Sequence, residues 1–201
     1  MFLTLILSSF LTFMELNCEN LFDTRHDSLK NDLEFLPDGS YKWMPYRYWA
    51  KLNHLGQEIV AQSDPIPDFV AMCEVENDSV MFDLTRRSLL RNAGYEYVMT
   101  SSPDERGIDV ALLYQPASFA LLHSHSIRIK PLPDTRPTRD ILYASGLIIT
   151  GDTLHVFVVH APSRRGGEVA SRPYRLHVAD RLAAAVDSIY AESRDAKIIV
   201  A

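Results

Sequence analysis

In four places in this 201-residue chain a polar residue closes or opens an apolar run. Polar groups in such positions lose hydration unless something pairs with them. A metal ion or a phosphate is one such partner, and an internal hydrogen bond is the other. The first place is Asn17, set between Leu16 and Cys18 and followed by Glu19-Asn20-Leu21-Phe22-Asp23. Its amide oxygen is a neutral hard donor suited to Mg²⁺ or Ca²⁺, or else a core amide bonded to backbone. The second is Glu74, in Cys73-Glu74-Val75-Glu76-Asn77. A carboxylate that ends a buried strand must be paired, protonated or bound to a metal. Glu76 and Asn77 read as loop or helix-cap residues. The third is Arg106-Gly107-Ile108-Asp109, in which Arg106 binds a phosphate or a surface carboxylate and Asp109 bonds the turn. The fourth is His160, followed by Ala161-Pro162-Ser163-Arg164-Arg165-Gly166-Gly167. Ser163 and Arg164 belong to a donor-rich loop that suits an anionic oxygen. The alternative is a core histidine followed by an exposed basic loop.

The elements that must position these residues follow from period and punctuation. Residues 14–19 predict a strand, and 23–45 a polar loop with a turn at Pro37-Asp38-Gly39-Ser40. Tyr48, Trp49, Leu52, Leu55, Ile59 and Val60 recur at helical spacing, which predicts a helix over 46–62 ended by Pro65 and Pro67. Residues 68–73 form a continuous apolar strand. A helix is expected over 78–92 with Gly94 as its stop. Strands are expected over 95–100, 109–114 and 119–129, and over 140–150 and 154–160 with Gly151-Asp152 as their hairpin turn. A long helix over 171–191 carries Pro173 in its first turn, and 197–201 opens a strand. The mixture of strand–helix–strand units with consecutive antiparallel strands favours two sheets packed face to face with helices outside.

Composition narrows the function classes. The chain is 47% hydrophobic and 23% charged, an ordinary globular balance for one domain. A net charge of −6 argues against a protein that coats nucleic acid through a basic surface. It does not argue against an enzyme that holds a phosphodiester with a local cation and a few arginines. Cys18 and Cys73 lie in strand-like runs and are expected to be partly buried thiols. Residues 1–13 are apolar and uncharged, as in a signal-peptide remnant or a strand extension. The first reading implies a secreted or periplasmic protein and the second a cytoplasmic one. No later stretch has the length of a membrane span.

Taken in order, the N-x-E-N-L-F-D run from Asn17, the strand ending in C-E-V-E-N, the R-G-I-D-V-A-L-L-Y run and the H-A-P-S-R-R-G-G loop resemble the endonuclease/exonuclease/phosphatase family, which includes deoxyribonuclease I-like enzymes. The resemblance runs from about residue 14 to 201. It implies a four-layer α/β/β/α sandwich and hydrolysis of a phosphate ester by an activated water. It implies that Glu74 binds Mg²⁺, with Mn²⁺ or Ca²⁺ as alternatives, that Asn17 lies near the metal, and that His160 contacts the scissile phosphate. Arg139, which opens the strand 140–150, resembles a phosphate-contacting arginine. The substrate implied is a phosphodiester, either nucleic acid or a small phosphate ester, and no protein partner is expected.

The sequence departs from the family pattern in two respects. Cys73 stands where many members carry glutamine. Members also place Gly-Asp-x-Asn after the strand that here is Ile198-Ile199-Val200-Ala201, and an Asp-His pair later still. The expectation is therefore that residues 14–201 form the N-terminal two-thirds of such a domain, incomplete at its C-terminus and inactive alone. A non-catalytic binding module that keeps the same fold is the competing expectation.

Overall fold

A computed structural model describes residues 10–133, 135–164 and 166–201. Most of the apolar run at the start, residues 1–9, lies outside the described residues. Its last part is anchored, because Thr12 donates to the Asp68 carboxylate from both its backbone N–H and its hydroxyl, at 2.8 and 2.9 Å. No described helix is long and apolar enough to cross a membrane.

Among the described residues, eight strands form two four-stranded sheets. The first sheet has the order β1-β2-β4-β3, from β1 (Phe13–Leu21), β2 (Phe69–Val75), β3 (Glu96–Met99) and β4 (Asp109–Tyr114). Its β1 and β2 run parallel, joined through helix α1 (Pro45–Ala61), while β4 pairs antiparallel with both neighbours. The second sheet has the order β5-β6-β7-β8, from β5 (Phe119–Ile127), β6 (Ile141–Ile148), β7 (Thr153–Val158) and β8 (Lys197–Val200). Helix α3 (Glu168–Glu192) makes the parallel crossover from β7 to β8. The hairpin between β6 and β7 turns at Gly151, whose φ of +84° is a left-handed conformation that favours glycine.

Three apolar layers hold the molecule together. Between the sheets lie Phe69, Ala71, Val110, Leu112, Phe119, Leu142, Ala144 and Val156. Outside the first sheet, Leu52, Leu55 and Ile59 of α1 pack on Val70, Met72, Ala111 and Leu113. Outside the second, Val178, Leu182, Ala185 and Ile189 of α3 cover Ile127, Ile141 and Phe157. The result is the expected α/β/β/α sandwich. The strands alternate between layers as a period of two requires.

The expected helix over 78–92 is corrected by the structure. It is a short α2 (Asp78–Phe82), capped by the Asn77 side chain accepting from Val80 N–H, then a wide π-type turn over Asp83–Arg87 and a 3₁₀ turn over Leu89–Asn92. The Thr85 hydroxyl donates back to Met81 O at 2.8 Å, and the Ser88 hydroxyl to Leu84 O at 2.5 Å. Hydroxyls bonded to the preceding turn compete with a regular helix and bend it. Helix α3 begins three residues ahead of the expected start, at Glu168, so Pro173 stands inside it.

Candidate functional site

The site is built where both strands of the parallel pair β1–β2 break step. Along β2, Phe69, Ala71 and Cys73 face the second sheet while Val70 and Met72 face α1. Strict alternation would send Glu74 into the apolar layer beneath α1. The ladder slips there instead: Cys73 pairs with Val110 and Val75 with Asp109. Glu74 is the extra residue, at φ +62°. Val75 takes the place in the apolar layer, fully buried, and the Glu74 carboxylate is freed toward the end of the sandwich. The neighbouring strand slips at the same level, because Asn17 pairs with Cys73 and Leu21 with Val75. The residues between include Glu19 at φ +51° and Asn20 at φ +61°. Left-handed non-glycine residues cost roughly 1–3 kcal/mol each and gather at functional sites. Bulges likewise re-aim side chains.

The slips bring named groups together. Asn20 N–H donates to Glu74 Oε2 at 2.9 Å. Glu74 Oε1 lies 3.6 Å from His160 Nε2, and both side chains are more than four-fifths buried. His160 comes from the other sheet, two residues past β7. Val159 N–H still donates to Ala201 O at 2.8 Å, so backbone pairing with the strand next to it extends almost to the histidine. Burial, followed by the Arg139 charge, pushes the His160 pKa down to about 4, with Glu74 and Asp104 acting in the opposite sense. The imidazole is therefore neutral near pH 7, and among the described residues its buried Nδ1 has no hydrogen-bond partner.

The other sequence candidates fall as follows. Asn17 shares a strand face with Phe13, which packs between the sheets, but it is exposed and its Oδ1 accepts from Glu19 N–H at 2.8 Å. Arg106 is half exposed at the site's edge, with Nη1 3.5 Å from Asn20 Oδ1 and Nε 3.8 Å from Asp104. Gly107 allows that placement through its φ of +82°. Arg139 is buried beside His160. Its guanidinium donates to the carbonyls of His160 and Ala161 at 3.0 and 3.2 Å and pairs with Asp104 at 3.3 Å. It fixes the turn that presents the imidazole. Ser163 lines a shallow cleft with Arg139, Pro162 and Tyr174. Arg164 stands away in an exposed loop, 3.9 Å from Glu168, and Arg165 lies outside the described residues. Asp109 accepts from Ser102 N–H and the Thr100 hydroxyl, as a turn residue should.

Sequence reasoning missed three contributors. Asn20 supplies the N–H that fixes Glu74, Asp104 pairs with both arginines, and Lys51 of α1 donates to the Glu19 and Asn20 carbonyls. Asn20 carried a signal in its tolerance of left-handed backbone, whereas a lysine on an amphipathic helix carries none.

The donor set suits a hard divalent cation. Glu74 offers a carboxylate oxygen, Asn17 a carboxamide oxygen, and Cys18 is buried among apolar side chains. Among the described residues no three His, Cys, Asp or Glu side chains converge. Mg²⁺ requires no such cage, since it is held by one or two carboxylates together with water and substrate phosphate.

A family model described as Endonuclease/Exonuclease/phosphatase family matches residues 12–201. Among solved structures, the human Nocturnin catalytic domain with bound sulfate is 20% identical, with a TM-score of 0.61 over 94% of this chain and 63% of that one. A Bacteroides thetaiotaomicron mannosyl-6-phosphatase is 16% identical, with a TM-score of 0.64 over 94% and 63%. TDP2 of D. rerio complexed with a single-strand DNA product is 17% identical, with a TM-score of 0.57 over 94% and 58%. The chain thus spans less than two-thirds of each of these structures, and the likeness shows the fold. No match is found among curated proteins.

Proposed function

Because this chain belongs to the endonuclease/exonuclease/phosphatase family, we propose that it contributes one side of the active site of a divalent-metal-dependent phosphoesterase. The observation that carries the reading is Glu74 at its strained bulge. One carboxylate oxygen is held by Asn20 N–H, and the other is turned to a neutral His160 across the two sheets. A carboxylate fixed in this way is preorganised for a cation, and cations at such sites neutralise charge on phosphoryl and leaving oxygens.

The remaining roles belong to side chains of this chain. Glu74, with Asn17 on the neighbouring strand opposite Cys73, would hold a Mg²⁺, Mn²⁺ or Ca²⁺ ion. Neutral His160 can donate a proton from Nε2 in a hydrogen bond to a phosphoryl oxygen. Arg106, half exposed at the rim, adds positive charge where an anionic ester enters. Arg139 acts on phosphate through His160, whose backbone it holds. The substrate class is a phosphate ester, and both a nucleic-acid product and a sugar-phosphate activity figure in the names of the similar structures.

The test is hydrolysis of bis(p-nitrophenyl) phosphate by the full-length protein with Mn²⁺ or Mg²⁺. Glu74→Gln and His160→Gln should each lower kcat by about 10²–10³-fold, the usual loss when one stabilising group is removed. Unchanged metal affinity and unchanged rate in Glu74→Gln would reject the site.

A further inference from the structure

The backbone of the slipped segment of β1 is held from outside the sheet by Lys51 of α1. Lys51 Nζ donates to Glu19 O at 2.6 Å and to Asn20 O at 3.2 Å, the carbonyls of the left-handed residues of that strand. Its ammonium also lies 5.5 Å from the centre of the Trp43 ring, a cation–π distance. The Trp43 indole N–H donates to Phe22 O at 2.8 Å. Carbonyls of residues 19, 20 and 22 are therefore all tied to α1 or to the segment leading into it. The peptide unit that carries the Glu19 carbonyl also carries the Asn20 N–H, and that N–H is the donor to Glu74 Oε2.

We infer that Lys51 is a positioning residue for Glu74. It holds the Glu19–Asn20 backbone in its left-handed conformation, so that Asn20 N–H occupies Oε2 and leaves Oε1 as the oxygen turned to His160. The inference rests on the proposed metal-dependent reading for its consequence and on geometry alone for its structural part. A long cationic donor is needed because the two carbonyls point out of the ladder. With the lysine removed the Glu19 carbonyl loses its Lys51 donor and the Asn20 carbonyl keeps the local Phe22 N–H at 3.1 Å, and the bulge can relax toward a regular strand that no longer presents Asn20 N–H to Glu74.

The experiment compares the full chain with Lys51→Met, which keeps the apolar stem, and Lys51→Arg, which keeps a cationic donor to both carbonyls. Asn20 amide exchange is followed by NMR, and affinity for Mn²⁺ alone is followed by titration. In Lys51→Met, Asn20 exchange should rise and Mn²⁺ affinity should fall about 10-fold, the size of effect expected when support for a ligand is removed. Lys51→Arg should restore both. If Lys51→Met does not fold, Lys51→Gln, which keeps a donor to one carbonyl, should give the same changes in smaller degree. Wild-type exchange at Asn20 in the Met or Gln variant would overturn the inference. So would equal losses in Lys51→Arg and Lys51→Met, which would mean that packing alone is at work. A wild-type protein that fails to bind Mn²⁺ would instead overturn the metal reading, while the Asn20 exchange result would still decide the role of Lys51.

Discussion

At the scale of the residue, the chemistry depends on carboxylates held where solvent is scarce. Glu76 shows how much this costs. It is 7% exposed, accepts from Asp23 N–H at 2.7 Å, and its pKa is pushed up to about 8 by burial first, the Asp23 N–H bond working the other way. Its ordinary value is 4.5, so between 4.5 and about 8 the folded chain keeps a proton that the unfolded chain has lost. Stability from this group is therefore present at low pH and is lost as pH rises across that window, at up to about 1.4 kcal/mol per pH unit. Glu76→Gln keeps an oxygen for Asp23 N–H and removes the slope. In EDTA, urea midpoints should show the variant gaining on wild type from about pH 5 to about pH 8, and parallel curves would contradict this assignment. Glu76 also illustrates what a residue pattern can reveal. In the sequence Glu74 stands out because a carboxylate at the end of an apolar strand needs a partner, whereas Glu76 reads as loop or cap. The structure gives each carboxylate a backbone N–H from the β1 segment, Asn20 for Glu74 and Asp23 for Glu76. Those partners are more than fifty residues away along the chain. No local spacing encodes such a contact.

At the scale of the element, strand and helix positions were legible because apolar periodicity reports burial directly. The helix expected over 46–62 is found at Pro45–Ala61, and the strand over 109–114 is found at those residues. The failures have physical causes. A slip such as that at Glu74 leaves the same run of residue types in the sequence, since one extra residue changes which face each side chain takes but not its identity. The break in the 78–92 segment depends on Thr85 and Ser88, residues that a helix tolerates until their hydroxyls turn back on the ladder. Ser88 is also an N-cap, accepting from Leu90 N–H at 3.1 Å. Ser88→Ala removes both bonds from a buried position and should lower stability by about 0.5–2 kcal/mol, the usual cost of losing a cap. An unchanged urea midpoint would mean that packing of Leu84 and Leu90 alone sets the turn.

At the scale of the molecule, the site belongs to neither sheet. Glu74 lies at the end of a strand of the first sheet, His160 follows a strand of the second, and their 3.6 Å approach spans the layer between the sheets, with the Arg139–Asp104 pair beside it. The apolar layers beneath α1 and α3 lie away from that approach. Stability and function should therefore respond differently to cavities in different layers. Leu112 is fully buried between the sheets, and Ile59 is fully buried beneath α1. Truncating either to alanine should cost about 2–5 kcal/mol. The surrounding structure collapses only partly into such a cavity, so Leu112→Ala should also shift one sheet against the other. Mn²⁺ affinity and phosphodiesterase rate, measured in full-length protein where both variants remain folded, should fall severalfold in Leu112→Ala and stay at wild-type values in Ile59→Ala. Equal effects in the two variants would show that the His160–Glu74 approach is set locally, by Arg139 and the bulges, and not by the packing of one sheet on the other.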